Sequence, residues 1–131
     1  MERRLRGGER ERREMNEKEY RELDVFIASN VFGMHDFCTS HISGELIALK
    51  SGDKRPRSGN TSNHHLVPTY TTNASDAMAV LKKCAEKYWA GIQLIKNEKG
   101  WHVKTLFIGH EASSETLELT ICKFAKNLFK K

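Results

Sequence analysis

The sequence predicts an α+β protein, a three-layer α-β-α sandwich with a small, mainly antiparallel sheet. Three stretches carry apolar residues at the three-and-four spacing of a buried helix face. Between the second and third of them, two runs of strand-forming residues flank a turn, the pattern of a β-hairpin. A sheet of three or four short strands offers too little area on one face to bury three amphipathic helices, so helices are expected on both faces. The length of 131 residues and an apolar content of 38% suit one modest core, and a single domain over residues 15–131 is expected.

The first helix is read in NEKEYRELDVFIASNVFG, from Asn16 to Gly33. Asn16 is suited to cap it, Glu19 completes a capping box, and Glu17 stands where the positive end of the helix dipole favours an acid. Tyr20, Leu23, Phe26, Ile27 and Val31 form its apolar stripe, and Gly33 stops the run. ISGELIALK, from Ile42 to Lys50, is the expected strand, with Leu46 and Ala48 on one face, Ile47 and Leu49 on the other, and both faces covered. SGDKRPRSGNTSNHH, from Ser51 to His65, has no large apolar side chain and reads as a long exposed loop. The chain is then extended around Pro68, and Asn73 or Ser75 caps a second helix. Its stripe is Ala77, Val80, Leu81, Cys84 and Tyr88, with Lys82, Lys83 and Lys87 left to water. The hairpin AGIQLIKNEKGWHVKTLFI turns at Asn97 to Gly100. Trp101, Val103, Thr105 and Phe107 share one face of its second strand; His102, Lys104, Leu106 and Ile108 share the other. After a GHEAS turn, Ser113 or Ser114 is expected to cap the third helix, with Glu115 in its first turn. Leu117, Ile121, Phe124, Ala125 and Leu128 make the last stripe, with Cys122 beside it.

At ELDVFIASNVFG (Glu22 to Gly33), VPTYTTNASDAMAVLKKC (Val67 to Cys84) and ETLELTICKFAKNL (Glu115 to Leu128) the chain resembles the phage ABA sandwich domain, a small family encoded by bacteriophages and prophages. The features that carry the resemblance are a helix ending in Gly33, a Pro-x-Tyr-Thr-Thr lead-in at Pro68 and Tyr70 to Thr72, and an Ala-rich helix from Asp76 to Lys87. A hairpin and a final helix with the Ile121-Cys122 pair complete it. It spans Met15 to Leu128 and departs in the middle, where members often carry tryptophans and this chain has the basic loop instead. It implies a phage protein in a bacterial cytoplasm and leaves the biochemical role undefined.

The net charge is +5, but its distribution matters more than its sum. Residues 2–14 hold six Arg and four Glu, which leaves 16 basic against 13 acidic residues elsewhere. Apart from Leu5, all the residues of that segment can be written with purine-only codons, like a ribosome-binding tract upstream of a start at Met15. Residues 1–14 are therefore either a translated leader or an Arg/Glu-rich helical extension. The remainder lacks the interleaving of basic and aromatic residues that single-strand binders use. No run of 18 apolar residues occurs, so a soluble, intracellular protein off the membrane is expected, and the resemblance implies the bacterial cytoplasm. Three cysteines without framework spacing read as reduced thiols, two of them (Cys84, Cys122) in or beside helical stripes.

HDFCTSH places His35, Cys38 and His41 at spacings of three, and His64 and His65 follow across the loop. These are zinc-ligand types, but a structural zinc site is usually built from two close ligand pairs, and in an extended segment a spacing of three puts neighbours on opposite faces. No metal site, cofactor or catalytic residue is expected. Lys54, Arg55 and Arg57 lie in a Gly/Ser loop, and Thr71, Thr72 and Asn73 begin the second helix, where free backbone amides and the dipole favour an anion. These six are the candidate ligand-binding residues, for a phosphate-bearing molecule such as a nucleotide. The competing reading is a solvated loop beside an ordinary cap. The expected function is binding without catalysis, of an anionic small molecule or a host protein; the alternative is a nucleic-acid-associated accessory protein. Trp89 and Trp101 flank the hairpin and are expected in packing; exposed together, they would mark a partner surface or the interface of a homo-oligomer.

Overall fold

A computed structural model describes residues 16–54, 63–88, 91–107 and 109–130. The Arg-rich segment with Met15, and Arg55, Arg57, Trp89 and Ile108, lie outside the described residues. Helix α1 (Glu17–Asn30) begins as its sequence requires: the Asn16 side chain accepts the Glu19 N–H at 2.9 Å, and Glu19 accepts back from the Asn16 N–H at 3.4 Å. It ends at Val31, and Gly33, at φ +74°, turns the chain so that the Met34 N–H reaches the Ala28 carbonyl at 2.8 Å. The buried stripe is Leu23, Asp24, Ile27 and Ala28, with Tyr20, Phe26 and Val31 packed half-buried beside it. Asp24 is a charged residue inside that stripe, and apolar periodicity could not point to it.

Strands β1 (His35–Thr39), β2 (Leu46–Leu49) and β3 (His65–Leu66) form one antiparallel sheet in that order. The strand expected from Ile42 starts four residues later. Ile42 is 99% exposed in the β1–β2 turn, where the Ser40 hydroxyl accepts the N–H groups of Ile42 and Ser43. Both faces of β2 are covered as expected, with Ile47, Ala48 and Leu49 all buried. Strand β1 was not evident in the sequence, because its polar residues hide it and a bulge at Asp36, at φ +54°, interrupts it. The bulge also corrects the expected placing of His35 and Cys38. They lie opposite Leu49 and Ile47, which are two residues apart in β2 and so share a face.

Helix α2 (Ala74–Lys87) is capped by Asn73, whose side chain accepts the Asp76 N–H at 3.0 Å, and it buries Ala77, Val80 and Cys84. Strands β4 (Ile92–Asn97) and β5 (Gly100–Thr105) pair as the expected hairpin, turning at Glu98 and Lys99. Strand β6 (Glu111–Ser114) then adds to β5, in the stretch read as a turn and a cap. Its sequence, EASS, has little strand propensity, and its pairing along β5 overrides that preference. The cap of helix α3 (Leu117–Phe129) is accordingly Thr116, not Ser113 or Ser114, and Glu115 precedes the helix instead of standing in its first turn. The α+β sandwich holds, with its strands divided between two three-stranded sheets where one was expected.

Helix α3 buries more residues than either other helix and touches β5 and β6 as well as α1 and α2. Phe124, Ile121, Cys122 and Ala125 are fully enclosed, and one apolar cluster joins them to Ile27 of α1, Val80 of α2, Ala48 of β2 and Val103 of β5. Thr120 is also buried; its hydroxyl donates to the Thr116 carbonyl at 2.7 Å and lies 2.9 Å from the Ser114 hydroxyl, tying α3 to the end of β6.

Candidate functional site

The segment between β3 and α2 is held by a buried polar knot. Asp24, 1% exposed, accepts from Arg21 Nη1 at 2.8 Å and from the Thr71 N–H at 3.0 Å, while Arg21 also reaches the carbonyls of Val67 and Pro68, both at 3.3 Å. A carboxylate with two donors satisfies the rule that buried charge must be paired. The knot fixes the backbone on either side of Tyr70. The Tyr70 ring then stacks on Phe32, with centroids 5.2 Å apart and planes 6° from parallel. Burial, reinforced by the charges of Asp76 and Asp24, pushes the Tyr70 phenol well above its ordinary range, so it stays protonated.

Against this frame lies a groove of about 570 Å³. Phe32 and Met34 after α1, Pro68 and Tyr70, and Asp76 and Ala79 of α2 line part of it, and the sheet contributes His65 and Leu66 of β3 with Lys50 and Ser51 after β2. The close approach of Gly33 brings these walls together, since a Cβ there would stand 3.2 Å from the Ser51 Cβ. Leu66, 60% exposed, offers an apolar side chain to whatever enters. The Lys50 N–H donates to Asp53 Oδ2 at 2.9 Å, and the same oxygen lies 3.5 Å from His65 Nε2, so one turn holds together the two residues that bring the Lys50 ammonium and the His65 ring to the groove. Aromatic and aliphatic walls with a few convergent polar groups are what a small-molecule site requires.

Of the six residues singled out from the sequence, the four that lie among the described residues do not line one pocket. Lys54 lines a smaller pocket with Asp53, Asn63 and His65, and His65 joins that pocket to the groove. Arg55 and Arg57 lie outside the described residues. Thr71 is buried with its N–H given to Asp24, and the N–H groups of Thr72 and Asn73 both go to the Thr69 carbonyl. Thr71, Thr72 and Asn73 line neither pocket. With Asp76 in the first turn as well, the start of α2 already carries negative charge. The residues missed were Lys50, Asp76, Phe32 and Tyr70. His65 had been singled out only as a metal ligand, and Tyr70 only as part of a motif.

Other constellations are engaged elsewhere. His35 sets Nδ1 against Asp36 at 2.7 Å and Nε2 against the Lys50 carbonyl at 3.2 Å, and among the described residues no three His, Cys, Asp or Glu side chains converge as metal ligands. Cys84 and Cys122 are fully buried free thiols; burial pushes Cys84 up to about 12 and Cys122 higher, the reverse of an activated nucleophile. On the second sheet His102 Nδ1 lies 2.6 Å from the Ser113 hydroxyl, but Glu111, 63% exposed, stands 3.8 Å from the other ring nitrogen, too far to hold it as a general base. A wider hollow of about 680 Å³ lies at the β4–β5 turn, lined by Trp101 among others. Three of its polar side chains are engaged within the fold: Asn97 accepts the Lys99 N–H, Ser113 meets His102, and Ser114 meets Thr120.

A crystal structure of a phage protein from Bacillus cereus ATCC 14579 has a similar fold, with a TM-score of 0.59 and 21% identity over 88% of this chain and 92% of that one. No protein-family model and no curated protein matches the chain. No helix among the described residues is long and apolar enough to cross a membrane.

Proposed function

We propose that this is a phage- or prophage-encoded binding protein of the phage ABA sandwich type, acting in the bacterial cytoplasm without catalysis of its own. It takes an anionic small molecule such as a nucleotide in the groove beside the Phe32–Tyr70 stack. The observation that carries the reading is the presence of Lys50 and His65 on the sheet side of an aromatic-walled groove. The Lys50 ammonium and the His65 ring N–H are suited to phosphate, and the apolar walls to a flat ring. Lys54 adds a second ammonium in the adjoining pocket that it lines with Asp53, Asn63 and His65. The similar fold of the Bacillus cereus phage protein supports the phage assignment. What supports the non-catalytic reading is that burial holds the Cys84 and Cys122 thiols protonated, and that Glu111 stands 3.8 Å from His102, too far for that pair to act as a general base.

The test is a thermal-shift titration with nucleoside monophosphates and inorganic phosphate, alongside an assay for nucleotide turnover. A ligand at a hundred times its Kd adds about 2.7 kcal/mol to the stability of the native state, a rise of several degrees in Tm for a chain of this size. The rise should be lost in Lys50→Ala. No shift with any nucleotide would sink the reading, and turnover would overturn its non-catalytic part. Salt-dependent DNA binding would favour the nucleic-acid role, and a host protein seated on the groove would replace the nucleotide as occupant.

A further inference from the structure

We infer that the groove selects guanine nucleotides over adenine nucleotides, through the carboxylate of Asp76. The inference rests on the groove as a nucleotide site and adds which base it takes. Asp76 stands in the first turn of α2, with Ala79 one turn on, and both face the groove. The helix dipole accounts for an acid in that turn. It does not account for where the carboxylate points: Asp76 is half-buried, lines the groove, and has no hydrogen-bond or ion-pair partner for its side chain among the described residues. The Lys50 ammonium and the His65 ring lie on the sheet side, so the groove is polarised, with an acceptor on its helix side and donors opposite.

A carboxylate offers two oxygens side by side and no donor, so it matches a ligand edge with two adjacent N–H groups. Guanine presents this at N1–H and N2–H. Adenine places an acceptor at N1 beside its amino group, cytosine does the same at N3, and uracil flanks one N–H with two carbonyls, each setting an acceptor against the carboxylate. A guanine pairing with Asp76 would lie against Phe32 and Leu66 and direct its phosphate to Lys50 and His65. Mismatched polar groups in such a site are costly because the carboxylate then loses water without gaining donors.

The experiment is calorimetric titration of the whole chain with guanosine and adenosine monophosphates, for the wild type, Asp76→Asn and Lys50→Ala. A bidentate pairing predicts a preference for guanine of about tenfold or more. Asp76→Asn keeps the shape and substitutes one acceptor and one donor, the complement of the adenine edge, so the preference should collapse or invert; the unliganded Tm verifies its fold. Lys50→Ala should weaken both ligands alike and leave their ratio unchanged. Equal affinity for the two bases, a preference for adenine, or a ratio unmoved by Asp76→Asn overturns the inference while the groove remains a nucleotide site. If neither nucleotide binds, the inference and the groove reading fall together.

Discussion

Replacing Asp24 by alanine removes the acceptor at the centre of the knot that joins α1 to the lead-in of α2. The Thr71 N–H that it accepts, at 3.0 Å, belongs to a residue 2% exposed, so in the variant the donor is stranded away from water. A hydrogen bond from a buried donor to a charged acceptor contributes about 1.5–3 kcal/mol, including the cost of leaving the donor unmade. The Arg21 side chain is 33% exposed, so its ion pair with Asp24 is screened and adds about 1 kcal/mol at most. The expected loss is therefore about 1.5–4 kcal/mol, its upper end reaching the range for breaking a buried pair. Arg21→Ala leaves the Thr71 N–H bonded and opens a site one-third exposed through which water can reach Asp24, so it should lose only about 1–2 kcal/mol. Urea unfolding measures both; with a slope of about 1.5 kcal/mol per molar, the midpoint falls by about 2 M in Asp24→Ala and by about 1 M in Arg21→Ala, the slope unchanged. An Asp24→Ala variant within about 1 kcal/mol of wild type, or an Arg21→Ala variant costing more, would refute the reasoning that the backbone donor, not the ion pair, dominates the knot.

Two further outcomes follow from the core and the hairpin. Cys84 and Cys122 stay protonated in the fold while the unfolded chain releases their protons above about pH 8.5, so their contribution to stability is flat below that pH and falls above it, by about 1.4 kcal/mol per pH unit for each thiol. Cys84→Ala should flatten the alkaline slope in pH-dependent urea titrations by one thiol's share; an unchanged slope would show that the buried thiol is not its source. Gly100→Ala would put a Cβ 2.2 Å from the Ser114 carbonyl oxygen at a φ of +144°, whereas at Gly52, φ +91°, nothing lies within 4 Å. Gly100→Ala should cost about 2–4 kcal/mol and Gly52→Ala about 1, and equal losses in thermal unfolding would deny the clash with β6.

What could be read from the sequence was whatever repeats with a local period. The stripes around Ile27, Val80 and Phe124, the Asn16–Glu19 box and the Asn97–Gly100 turn depend on neighbours a few residues away, and they stand as expected. Strands β1 and β6 depend on partners elsewhere: HDFCT and EASS become strands because β2 and β5 present unpaired edges to them. Asp24 lies inside an apolar stripe because Thr71, distant in sequence, supplies its donor. The groove was illegible for the same reason. Its residues come from the ends of α1, β2, β3 and α2, and each looked locally like a strand end, a cap acid or a packing aromatic.

The knot and the groove are coupled through one short stretch of chain. Arg21 holds the carbonyls of Val67 and Pro68, Asp24 holds the N–H of Thr71, and between these anchors Tyr70 is pressed flat on Phe32 at the groove wall. Two residues further on, Asn73 caps α2 and thereby orients Asp76. The aromatic wall and the carboxylate are thus placed by the same buried charge, from one side of the Pro-x-Tyr-Thr-Thr segment to the other. Lys50 and His65 are placed independently, by the pairing of β2 with β3 and the Asp53 turn. A groove assembled from two separately fixed halves can accept a ligand that bridges them without remaking either, and the ordering cost of binding then falls mainly on the exposed side chains, such as Leu66, that line it.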